Sequence, residues 1–151
     1  MNIKRKIPLI IKTSLFFIIS LLSINSSAQG SADKDLEFVI TVDPITHCAT
    51  AVTPIVNEQN CKKEYIESKN PCKNVAECVC AKKEKNIKWQ TSNGDPFDIQ
   101  FTNGTPFRQC DYKATRDGNV RCKTKIGGDF YYEVNVNGCA TNPYDPRIVV
   151  R

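Results

Sequence analysis

Eight cysteines, one histidine and two closely spaced aspartates are the residues of this chain whose types and spacing can do chemistry. Cys48, Cys61, Cys72, Cys78, Cys80, Cys110, Cys122 and Cys139 form an even set. In an exported protein such a set reads as up to four disulfides, for which about 105 pairings are possible. Zinc ligation by thiolates calls for paired Cys-x-x-Cys knuckles, and here Cys78-Val79-Cys80 is the single close pair. His47-Cys48 sets a base beside a thiol, but neighbours in an extended chain project to opposite faces, so the pair does not read as a dyad. Any triad would have to recruit His47, and Ser31, Ser68 and Ser92 carry no nucleophile-elbow motif. Asp95 and Asp98 flank Phe97 like a pair of acid–base carboxylates, although Asp95 before Pro96 reads as a turn residue. Gly127-Gly128 is a bare turn rather than a phosphate cradle. The expectation is a non-enzymatic chain with no catalytic residue, no metal site and no cofactor.

The compartment follows from the first residues. Asn2 to Lys12 is basic, Ser14 to Ile24 is an apolar run of eleven, and Ser26-Ser27-Ala28 supplies the small residues of a cleavage site. Eleven helical residues reach about 17 Å, short of a bilayer core of about 30 Å. Residues 1–28 are therefore expected to be an export signal, with no membrane span in the mature chain and a periplasmic or extracellular destination. The formal charge of +5 is concentrated in that leader. Beyond it 17 basic residues face 16 acidic ones, a balance that argues against nucleic acid as partner.

The elements that must position the cysteines read as strands. After a small, polar tail over 29–35, Phe38, Ile40 and Val42 alternate before Asp43-Pro44. Cys78 and Cys80 share a face of a strand over 77–81, so each is expected to bond a different segment. Asn70-Pro71 caps a short turn at Cys72. Ile87, Trp89 and Thr91, then Phe97, Ile99 and Phe101, then Phe130, Tyr132, Val134 and Val136 alternate in turn, and residues 147–150 close the chain. Asn93-Gly94 and Asn103-Gly104 mark turns, and Asp117-Gly118 reads as a hairpin that brings Cys110 near Cys122. About seven short strands with almost no helical period predict an all-β, antiparallel sandwich over 36–151. Its core would hold Phe38, Ile40, Trp89, Phe97, Ile99, Phe101, Tyr132, Val134, Ile148 and Val150. A Cys-rich, irregular insertion over about 46–76 would be stapled to it by disulfides.

The run from Glu77 to Trp89, the Phe97-Asp98-Ile99-Gln100-Phe101 strand, the Phe130 to Val136 strand and the closing Asp145 to Val150 resemble small exported bacterial proteins of the cupredoxin-like fold. The resemblance covers about half the mature chain and implies a blue-copper site. Such a site needs two imidazoles, a thiolate and usually an axial methionine. Cys139 follows the tyrosine-rich strand, about where the fold carries its thiolate. His47 is the only imidazole, however, and residues 140–151 contain neither His nor Met. The copper centre is therefore expected to be absent and Cys139 to be a disulfide partner.

What remains is recognition. The segments 61–88 and 108–125 each carry a charge of +4, and they include Lys82, Lys83, Lys85, Arg108, Arg116 and Arg121. Brought together, they would suit an unknown acidic protein or a polyanionic surface ligand; kept apart, they are solvated edges that discourage aggregation. Tyr131, on the outer face with Glu133 and Asn135, is a further candidate anchor. Asn103-Gly104-Thr105 fits a glycan acceptor. The chain thus reads as an exported, disulfide-rich binding module. A metal-handling or redox protein using Cys78, Cys80, His47 and Cys139, or a small secreted inhibitor or immunity-type protein, are the alternatives.

Overall fold

The computed structural model describes residues 35–55, 69–75, 77–141 and 143–151. The expected export signal, the expected tail up to residue 34, Cys61 and the middle of the expected insertion lie outside these residues. Nine strands are described: β1 (Leu36–Val42), β2 (Ala49–Pro54), β3 (Cys78–Ala81), β4 (Asn86–Thr91), β5 (Phe97–Phe101), β6 (Lys113–Ala114), β7 (Val120–Lys123), β8 (Gly128–Val136) and β9 (Arg147–Val150). They form a four-stranded sheet, ordered β2-β1-β4-β7, and a five-stranded sheet, ordered β3-β9-β8-β5-β6. The expected two-sheet, all-β architecture is present, with more strands than anticipated.

Three expectations need correction. The sandwich is mixed rather than antiparallel: β1 runs parallel to β4, and β3 parallel to β9. Parallel neighbours need a long crossover, and the chain from 43 to 85, which visits β2 and β3 before returning, supplies one. Second, residues 49–54 are not part of an irregular insertion but a regular strand paired antiparallel with β1. Third, Asp117-Gly118 does not close a hairpin. β6 pairs with β5 in the second sheet while β7 pairs with β4 in the first, so the turn arches between layers. Asn93-Gly94 does the same between β4 and β5, and the two arches meet where Asp117 N–H donates to Gly94 O at 2.8 Å. A Cβ on Gly94, whose φ is +79°, would collide with the Asp117 side chain. A turn motif specifies reversal; the apolar faces of β4 and β5, which must look at each other, decide that the reversal crosses the core.

That core centres on Trp89, fully buried and ringed by Phe38, Phe107 and Tyr132 at centroid distances of 5.9, 6.0 and 5.7 Å. Its indole N–H donates to the Tyr132 hydroxyl at 3.2 Å, which satisfies a buried donor that would otherwise be costly. Every residue expected in the core packs there, Phe101 only partly buried, together with Val52, Ile87, Phe107, Val120 and Phe130. β3 and β9 are covered on both faces. Val79, Ala81, Ile148 and Val150 look into the sandwich, while Cys78, Cys80 and Val149 form a second small core with Cys72 outside it. The period-two spacing of Cys78 and Cys80 thus places both sulfurs on the outer face.

Disulfides join Cys48 to Cys139, Cys72 to Cys78 and Cys110 to Cys122, with Cα separations of 4.6, 5.2 and 5.4 Å. Cys80 is also disulfide-bonded. Cys110–Cys122 ties the segment before β6 to β7, and Cys48–Cys139 ties the β1–β2 turn to the β8–β9 loop, so both brace one sheet against the other. The outer edge of β2 is blunted in two ways. Val52 N–H donates to the Glu77 carboxylate at 3.3 Å, and Pro54 has no N–H to offer a foreign strand.

Candidate functional site

The loops gather at two ends of the sandwich, and the residues singled out in the sequence divide between them. One end carries the β1–β2 turn, the β4–β5 and β6–β7 arches and the β8–β9 loop. Here Asp43 accepts hydrogen bonds from Ile45 N, Thr46 N and Thr46 Oγ1 at 2.9, 2.8 and 3.0 Å. The Thr46 and Ile45 amides hold its carboxyl below the usual range. This closes a tight turn at whose end His47 has φ +56°, so His47-Cys48 is not extended as expected.

The consequence is a contact that sequence reasoning missed. His47 Nδ1 donates to Asp95 Oδ2 at 2.9 Å, across 48 residues, and Asn93 Nδ2 donates to the same oxygen at 2.8 Å. The hydrogen bond from His47, then that from Asn93, lowers the Asp95 carboxyl below its ordinary value. Asp95 therefore turns away from any pairing with Asp98, whose carboxylate accepts from Asn135 Nδ2 at 3.2 Å. An Asp-oriented imidazole is the half of a triad that would activate a nucleophile. Among the described residues no hydroxyl or thiol is hydrogen-bonded to the His47 ring, and the neighbouring sulfurs are already joined. Thr141 Oγ1 lies 3.1 Å from Cys48 Sγ and 3.3 Å from Cys139 Sγ, donating to the disulfide.

This end also tests the copper site that the resemblance implies. Cys139 does lie just beyond the tyrosine-rich β8, but its sulfur is bonded to Cys48 and offers no thiolate. The single imidazole is turned onto a carboxylate. The donor set does not fit type 1 copper, and among the described residues no group of three His, Cys, Asp or Glu is disposed to hold a metal. Cys78 and Cys80 likewise each have their sulfur in a disulfide.

At the opposite end lie Asp35, the β3–β4 turn, the long β5–β6 loop, the β7–β8 loop and Arg151. Their key is Thr124, fully buried. Its hydroxyl donates to Lys82 O at 2.7 Å and accepts from Lys85 N at 3.1 Å, while Thr124 N donates to Lys85 O at 2.9 Å and Thr124 O accepts from Glu84 N at 2.8 Å. These bonds pin the turn bearing Lys82, Lys83 and Lys85 onto the end of β7, so this part of the first basic segment meets one end of the second. Pro106 O accepts from Lys125 N at 2.7 Å and draws in the loop that carries Arg108. An open cleft of about 480 Å³ results, lined by Arg108, Gln109, Lys123 and Lys125.

The remaining candidates are elsewhere. Arg121, on β7, pairs with Asp35 at 3.3 Å, and Asp35 also accepts from Asn86 N at 2.8 Å, so the end of the tail is anchored rather than loose. Arg116 sits at the histidine end, near enough to Asp95 to act on its charge. Tyr131 is on the outer face of the second sheet, as expected, but with the Arg147 guanidinium 5.2 Å above its ring. Asn103 does not present a free glycan acceptor: its amide donates to Asp129 O at 2.9 Å and accepts from Tyr131 N at 2.8 Å.

Glu84, Lys123 and Lys125 were not among the candidates. Lys125 Nζ donates to both Glu84 oxygens, at 2.8 and 2.6 Å, and Lys123 Nζ reaches Glu84 at 3.1 Å. Lys125 first, then Lys123, holds the Glu84 carboxyl below the usual range. Glu84 has φ +65°, a left-handed conformation unusual for Glu. The alternation of Arg121 and Lys123 on β7 and Lys125 just beyond it was the available signal; the carboxylate from a turn distant in sequence was not.

No protein-family model and no curated protein matches the chain. Among solved structures it is similar to a purple cupredoxin from Nitrosopumilus maritimus (9% identity, 78% of this chain and 100% of that one, TM-score 0.43). It is similar also to the amicyanin of Paracoccus versutus (12% identity, 83% and 88% of the two chains, TM-score 0.38). A third is a Cu(I) amicyanin variant (10% identity, 83% and 89%, TM-score 0.41). No activity transfers with these likenesses. Among the described residues no helix is long and apolar enough to cross a membrane.

Proposed function

We propose that this chain is an exported, disulfide-braced, non-enzymatic binding module whose basic end docks an acidic partner. One observation carries the reading: Arg108 from the β5–β6 loop and Lys123 and Lys125 from the end of β7 line one cleft, and buried Thr124 fastens the Lys82 to Lys85 turn beside it. The export signal expected over 1–28 and the joined cysteines support an oxidising compartment. Cross-bracing between the sheets supports loops held in one arrangement, which lowers the ordering cost of recognition.

The test uses the oxidised mature protein and three acidic probes: a sulfated polysaccharide, vesicles containing an anionic phospholipid, and an acidic protein. Binding to at least one, weakening steeply with added salt, is the expected result. Failure to bind any of them at low ionic strength would refute the reading. A preference for the acidic protein would make the module of inhibitor type.

A further inference from the structure

We infer that the cleft bordered by Arg108, Gln109, Lys123 and Lys125 is a site for a tetrahedral oxyanion ester, a sulfate or a phosphate, and that Glu84 is a competitor for it built into the fold. The inference deepens the proposed function and rests on it. Its starting point is the unequal state of the cations at this end. Arg121 is matched by Asp35 and Lys88 by Glu37, and both pairs lie along the strands. Lys123 and Lys125 instead share one carboxylate. Arg108, exposed and lining the same cleft, has no hydrogen bond or ion pair among the described residues. The cleft is therefore lined by three cations, two of them paired with Glu84 beside it, and the surplus is borne by the group that is not engaged.

The chemistry of the walls narrows the ligand. A guanidinium presents a planar fork of donors suited to two oxygens of one oxyanion, ammonium groups add point charges, and the Gln109 amide can donate a neutral hydrogen bond. A tetrahedral group with three terminal oxygens can meet all of these at once; a carboxylate, with two, cannot. The Glu84 carboxylate already sits where such oxygens would be drawn, accepting from Lys125 through both of its own and from Lys123 through one. Its main chain is held in place by the Thr124 carbonyl. The internal anion is thus tethered to the turn and satisfies the two lysines while leaving Arg108 unmatched. A ligand with one more terminal oxygen gains Arg108 and displaces Glu84 into solvent.

The prediction has opposite signs on the two sides of the cleft. With a sulfated hexasaccharide as probe, Glu84→Gln strengthens binding by about three- to tenfold and Arg108→Ala weakens it by about tenfold, the scale of one charge-assisted contact. Arg116→Gln, at the far end, leaves the affinity unchanged. Inorganic sulfate should shift the amide resonances of residues 108, 109, 123 and 125 in a heteronuclear NMR titration. Vesicles carrying phosphatidic acid, run in parallel, distinguish a lipid phosphate from a glycan sulfate as the source. All three substitutions are at exposed positions, so the variants should fold. Binding that survives Arg108→Ala, or that falls in Glu84→Gln, overturns the inference but leaves the binding module standing. No binding by the unaltered protein removes both.

Discussion

Thr124→Val changes one atom of the side chain for another of nearly the same size and removes the hydroxyl bonds to the Lys82 to Lys85 turn, leaving the two main-chain bonds of Thr124 in place. In the native fold the hydroxyl serves Lys82 O and Lys85 N at 2.7 and 3.1 Å, at a position with no solvent exposure. Valine fills the space but leaves one carbonyl and one amide without partners. An unsatisfied buried group costs about 1–3 kcal/mol. Lys82 and Lys85 are only partly buried, so water can reach some of the freed groups, and the net loss should be about 2 kcal/mol. For a domain of this size that moves the urea midpoint down by about 1 M. Trp89, the single tryptophan and fully buried, reports the transition by its fluorescence. Thr124→Ser keeps the hydroxyl and should lose less, and amide exchange at Lys85 should quicken in the valine variant alone. A Thr124→Val protein within about 0.5 kcal/mol of the native one, with Lys85 exchange unchanged, would refute the claim that this hydroxyl holds the basic end together.

Two other measurements bear on the framework. Replacing each described disulfide by a serine pair should destabilise in the order Cys48–Cys139, Cys110–Cys122, Cys72–Cys78. The closed loops span 91, 12 and 6 residues, and the chain-entropy model gives about 4.6, 2.8 and 2.2 kcal/mol; urea titration of the three variants checks the order, and a reversed order would reject it. Burial raises Tyr132 well above the usual tyrosine value and Tyr144 to about 12, so the folded chain keeps protons that the unfolded chain releases above about pH 10. Stability present below that pH is then lost as pH rises, by up to about 1.4 kcal/mol per unit for Tyr132. The urea midpoint between roughly pH 8 and 11 should fall accordingly, and Tyr132→Phe should flatten the slope; an equal slope in the variant would contradict the assignment.

Alternation made β1, β5 and β8 legible because a half-buried strand writes its faces into every second residue. β2 was missed because Ala49 to Pro54 is short-chained and lies beside a cysteine, so its apolar signal is faint, with Val52 alone fully buried. Phe107 follows a proline inside a loop and carries no period at all, yet it packs on Trp89. Pairing partners were illegible for a different reason: alternation records which side of a sheet a residue occupies, not which strand is its neighbour. That is why β1 against β4 and the arch at Asp117-Gly118 came only with the structure. The candidate site divides in the same way. The surplus of lysine and arginine was visible as composition, whereas its focus depends on Thr124 and Glu84, whose roles exist only once distant backbone groups meet. His47 with Asp95 is a similar case, joined because two turns converge.

The bond between Cys48 and Cys139 sets a timetable. A polypeptide made from its amino terminus releases Cys48 early and must wait 91 residues for the proper mate, while the spans of 6 and 12 can be sealed almost as they appear. Throughout that interval Cys48 is exposed to exchange with every other cysteine released before Cys139. Correct maturation of this chain is therefore a late event that favours hosts equipped with disulfide-shuffling catalysts, and material made without them should accumulate as mispaired isomers of identical mass.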